Sequence, residues 1–160
     1  MRLLIAAVGR LKAGPERELL ERYVERANAA GRAVSLAPLE IVEIAESQAR
    51  RPADRMAEEA AKLESVIPRM AQRIVLDSGG RNLTSEDFAA KLAIFRDRGA
   101  SAAVFLIGGA DGLTKEATGS ADLTISFGAA TFPHQIVRIL LAEQIYRAIT
   151  ILSGHPYHRS

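Results

Sequence analysis

The sequence contains no cysteine. That single absence removes disulfides, thiolate metal sites and cysteine nucleophiles together, and it suits a reducing compartment such as the cytoplasm. Long apolar runs are missing as well: nothing approaches the ~20 consecutive apolar residues of a membrane span. The start, Met1 to Val8, imitates a signal peptide. Its apolar run is too short, however, and Arg10 and Lys12 follow where a cleavage region would stand. A surplus of one charge is lacking too. The 21 Lys and Arg against 19 Asp and Glu leave a net charge of +2, which argues against gripping naked nucleic acid by phosphate neutralisation alone. Histidine is scarce: His134, His155 and His158 are the only three, all within the last 27 residues. They lack H-x-x-x-H spacing, so no metal site is expected.

What is present is ordinary for a globular chain. Of 160 residues, 48% are apolar and 25% charged, enough for one domain over residues 1–160 with its own core. Arg2–Val8 predicts a strand covered on both faces. Gly14-Pro15 opens a helix that Gly31 closes, with Leu19, Leu20, Tyr23, Val24 and Ala27 as its apolar stripe. Residues 34–44 predict a second strand, with Pro38 at its start or edge, and residues 54–67 a second helix. Residues 73–76 form a short strand before the loop Asp77 to Asn82. Thr84 and Asp87 have capping spacing for a helix that runs to Arg98-Gly99. Ala102–Ile107 is a buried strand ending in Gly108-Gly109-Ala110-Asp111-Gly112. A short helical piece, a fifth strand at 123–127, a small-residue loop and a long helix from Pro133 to about Ser153 complete the chain. Strands alternating with helices predict a parallel α/β sheet with helices on both faces.

The last helix is apolar on several flanks: Val137, Leu141, Ile145 and Ile149 on one, Ile136 and Leu140 on another, Ile139 and Tyr146 on a third. Such a helix is buried on more than one side. A second subunit is the expected cover, hence a homodimer; the alternative is a helix clamped within its own chain.

Ligands of open α/β sheets bind beyond the carboxyl ends of the strands. Three loops lie there: after Leu76, after Ile107 and after Phe127. The G-G-x-x-G turn matches neither the dinucleotide fingerprint nor the P-loop. Its glycines either serve a tight turn or let a bulky ligand press on the backbone. The tail His155-Pro156-Tyr157-His158-Arg159 concentrates imidazole, phenol and guanidinium, groups suited to proton transfer, base stacking and phosphate contact.

Four blocks occur in order: Phe105 to Leu113, Thr131 to Arg138, Ala142 to Ala148, and His155 to Arg159. Together they resemble the ribosomal RNA large subunit methyltransferase H family of the SPOUT superfamily, over the whole length. The resemblance implies an α/β knot, a homodimer, and methyl transfer from S-adenosylmethionine (SAM), without metal, to ring nitrogen 3 of a pseudouridine. The target would lie in large-subunit ribosomal RNA, on assembled ribosomes. Carried over by position, SAM would meet Leu76, Gly108 and the stretch Phe127, Gly128, Ala129, Ala130, Thr131 and Phe132. The tail would be the substrate side, with His158 as base or proton relay, Arg159 on developing charge or phosphate, and Tyr157 stacked on RNA. Arg138 and His134 are second-line candidates beside the cofactor loop, and Asp111 carries no role. Arg10, Lys12, Arg50, Arg51 and Arg55 form either a local basic patch or plain solvated surface. Two other readings stand beside this one: an α/β enzyme binding a phosphorylated metabolite at the glycine turn, and a non-catalytic ribosome-binding dimer.

Overall fold

The computed structural model describes residues 1–158. Five strands form one all-parallel sheet in the order β2-β1-β4-β3-β5: β1 Arg2–Val8, β2 Leu39–Ile44, β3 Gln72–Asn82, β4 Ala102–Ile107 and β5 Leu123–Ser126. The helices between them are α1 Pro15–Gly31, α2 Pro52–Ser65, α3 Ser85–Asp97, α4 Lys115–Gly119 and α5 His134–Ser153. β1 after Arg2, and all of β4, are apolar because both their faces are covered.

Alternation along β1 assigns the faces. Leu3, Ile5 and Ala7 point to a core shared with Leu20 and Ala27 of α1, Phe88 and Leu92 of α3, and Leu141, Ile145 and Ile149 of α5. Leu4, Ala6 and Val8 point the other way, to Leu63 of α2 and to Val66, Ile67 and Leu113. Steps towards β2 thus use helices of the first face, and steps towards β5 those of the second, as one constant crossover hand requires. After β5 the chain turns back across the carboxyl ends of β3 and β4, and α5 packs against both α1 and α3. That path is the one the α/β-knot expectation calls for.

Five expectations change. Residues 34–44 are not one strand: Arg32–Val34 is a 3-10 turn, Ala37-Pro38 is a cis peptide, and pairing starts at Leu39. The second helix begins at Pro52, with proline in its favoured first turn. β3 does not stop at Leu76. Residues 77–80 bulge out and Arg81 and Asn82 pair again with Ile125 and Ser126 of β5. Gly80 makes this possible, since a Cβ there would sit 2.5 Å from the Ile125 carbonyl carbon. Finally, the flanks of α5 are covered mainly by this chain's own α1, α3 and sheet, leaving Ile136 exposed near its start. The apolar helix therefore does not by itself demand a second subunit. In α1, Leu19 departs from the buried stripe and faces solvent.

Candidate functional site: a cleft and a docked tail

The carboxyl ends of β3, β4 and β5 open into a cleft of about 420 Å³. Leu76 to Ser78 line it from β3, Ile107 to Leu113 from β4, and Ile125 to Gly128 with Ala130 to His134 and Val137 from β5 and α5. All three loops expected from strand ends meet here. Of the residues assigned to SAM, Leu76, Gly108, Phe127, Gly128, Ala130, Thr131 and Phe132 line the cleft; Ala129 does not.

Two local features make the cleft a backbone surface. The turn after β4 doubles back on itself, with Gly109 and Gly112 bridged and a Gly112 N–H bond to the Gly109 carbonyl at 3.1 Å. At Gly108 any Cβ would come within 2.6 Å of the Gly112 carbonyl carbon, so this position accepts no side chain. In the opposite loop, no described residue accepts a hydrogen bond from the backbone N–H of Ala129, Ala130, Thr131 or Phe132. Unspent donors beside apolar Leu76, Ile107, Phe127 and Val137 suit a ligand with a flat ring and a polar chain, and the volume lies in the small-ligand range.

His134, at the first turn of α5, lines the cleft. Arg138, one turn later, does not. It is fully buried, its guanidinium donating to the Val8 carbonyl and lying 3.2 Å from Glu43 of β2. Burial pushes its pKa down, opposed by Glu43 and Glu46. Glu43 also accepts from the Leu11 N–H at 2.8 Å and pairs with Arg17 at 3.2 Å. Arg138 is thus a strut tying the α5 start, and with it the cleft loop, to the ends of β1 and β2, and is closed to a substrate in this position.

The tail lies elsewhere. The Tyr157 hydroxyl donates to Glu143 at 3.1 Å, its ring centre is 4.6 Å from that of Tyr146, and the Arg147 guanidinium lies 4.9 Å above it. Burial pushes the Tyr157 phenol well up, reinforced by Tyr23 and Glu143, so it stays protonated as a donor. The Arg147 guanidinium donates to Glu143 at 2.9 Å, which raises its own pKa. His158 Nε2 is 2.8 Å from Glu86 in the first turn of α3. Hydrogen bonding from its own backbone N–H, then from His158, holds the Glu86 carboxyl below its ordinary range. Neither Tyr157 nor His158 lines the cleft. Beside the tail is a second cavity of about 360 Å³, bounded by Thr84, Ser85 and Gln144, which shares only Ile125 to Gly128 with the first. Arg147 and His134 are 13 positions apart on one helix, roughly 20 Å. Arg159 lies outside the described residues.

Of the proposed basic patch, Arg10, Lys12, Arg50 and Arg51 are exposed on the loops after β1 and β2, the same edge of the sheet as the cleft. Arg55 is not a free cation, since it binds Asp111 through two nitrogens at 2.7 and 3.1 Å. Sequence reasoning missed Glu43, Glu86 and Glu143, and gave Arg55 no role beyond the basic patch or solvated surface. Each acts through a partner distant in sequence or behind a helix, and only the Glu143–Arg147 i,i+4 spacing signals it locally.

Ribosomal RNA large subunit methyltransferase H of Xanthobacter autotrophicus is 58% identical over 160 residues, covering 100% of both chains. That of Rhodopseudomonas palustris is 56% identical, again over 100% of both. Among solved structures, a probable methyltransferase from Bordetella pertussis Tohama I aligns with TM-score 0.48 and 17% identity, over 92% of this chain and 95% of that one. The family described as predicted SPOUT methyltransferases matches residues 1–158, and this chain belongs to it.

Proposed function

We propose that the protein transfers the methyl group of SAM to ring nitrogen 3 of a pseudouridine in large-subunit ribosomal RNA, as a cytoplasmic homodimer acting on assembled ribosomes. The observation that carries this reading is the cleft. Loops from three strand ends, far apart in sequence, converge on the positions that the family resemblance assigns to SAM.

Leu76, Gly108 and the 127–132 loop would hold SAM, the loop's free N–H groups facing its polar atoms and the apolar side chains its adenine. When bound, SAM supplies a methyl already activated by the sulfonium charge. The chain's own task is to orient the nitrogen and take up one proton from a weakly acidic imide. His158 is the favoured acceptor, Arg159 steadies the charge left on the ring or a phosphate, and Tyr157 stacks on RNA; His134, inside the cleft, is the second candidate for the proton. The tail and the cleft are separate within one protomer, so a homodimer that sets one copy's tail beside the other's cleft supports the same reading. Arg10, Lys12, Arg50 and Arg51 edge the cleft and suit phosphates. The modest net charge suits a folded target whose shape contributes to recognition.

The test is incubation with labelled SAM and ribosomes from a strain lacking the modification, with free rRNA and separated subunits as comparisons. Label in the large-subunit rRNA of whole ribosomes is expected. No SAM binding, or no label in any RNA, sinks the reading.

A further inference from the structure

We propose that Arg55 is a positioning residue for the cofactor turn, acting through Asp111; this rests on the reading of the cleft as the SAM site. The turn Gly108 to Gly112 has side chains only at Ala110 and Asp111, and three glycines leave it more conformations to lose on binding than any other wall of the cleft. Among the described residues, Asp111 is its one side-chain polar tether. Both its carboxylate oxygens are taken by the Arg55 guanidinium, Nε at 2.7 Å and the second nitrogen at 3.1 Å. This bidentate geometry fixes direction as well as distance. Each partner is only about a quarter exposed, at 28% and 26%.

Arg55 has a second hand. Its remaining nitrogen donates to the carbonyls of Ala49 at 3.1 Å and Arg50 at 3.0 Å. One planar group on α2 therefore holds the cofactor turn and the segment carrying the exposed Arg50 and Arg51. The Glu59 carboxylate, one turn along α2 and buried, lies against Gly109 from the same helix. Asp111 faces the cleft edge, but its oxygens are spent on Arg55, so its service to a ligand is to keep the turn in place.

Calorimetry with SAM, and methylation kinetics, distinguish this from a bystander ion pair. Arg55→Ala and Asp111→Ala are expected to weaken SAM binding by about fivefold each, the scale of a partly exposed bidentate pair. The KM for SAM should rise in step, with kcat at saturating SAM unchanged. Arg55→Lys should recover only part, since an ammonium cannot fork. The exchanged double variant Arg55→Asp/Asp111→Arg should bind better than either single charge change. Melting temperatures report folding separately. Wild-type protein that binds SAM, with variants that fold and bind it equally well, overturns the clamp. Wild-type protein that does not bind SAM overturns the reading beneath it, and the clamp with it.

Discussion

The cleft at the ends of β3, β4 and β5 is lined mainly by glycines, alanines and apolar side chains, whereas the tail on α3 and α5 is held by ion pairs and rings: Glu143, Arg147, Tyr146 and Glu86. The first surface offers backbone groups at the strand ends, with its glycine turn tethered through Asp111 to Arg55. The second offers side-chain contacts that a partner surface can exchange one for one. In the proposed reading the cofactor meets the first surface and the RNA the second.

The sharpest way to break this division is to remove residues 155–160. Methylation should fall by more than about a thousandfold, the scale of a lost general base with its neighbours, while SAM affinity by calorimetry stays within about twofold. Loss of SAM affinity on the same scale as loss of methylation would refute the tail's assignment. Next in size is Gly108→Val, which should cost SAM binding more than about tenfold, since added atoms must displace the Gly112 backbone. Arg138→Met strips the strut and should lower stability by about 2–4 kcal/mol in urea unfolding, moderated by the partial exposure of Glu43. The smallest effect is on pH. The carboxyl of Glu86 is held low in the folded chain, so its contribution to tail docking is complete above its ordinary value of 4.5 and disappears as the pH falls below that, through the lowered value. Ring resonances of Tyr157 should shift in that window, and Glu86→Gln should remove that transition.

Strands β1 and β4 were legible because burial on both faces writes an unbroken apolar run, and the Thr84 cap because it is local: its hydroxyl accepts from the Asp87 N–H. Residues 77–82 were not, because Asp-Ser-Gly-Gly carries the chemistry of a turn; only β5, 44 positions on, recruits Arg81 and Asn82 as strand. Arg138 sits in a helix otherwise rich in apolar residues and resembles a ligand-binding cation. Its burial depends on Glu43, 95 positions away, which no local pattern signals. The three cleft loops needed only strand ends, so they were found. The tail's position needed the Glu86 and Glu143 contacts, and these are tertiary.

The bond from Arg138 to the carbonyl of Val8 spans 130 positions of the chain. The α5 helix thus closes the hydrophobic core over β1, a strand made well over a hundred residues earlier. A chain that ends before Phe127 lacks the cleft wall that Phe127 to Val137 supply. Such chains should consequently fail to bind SAM.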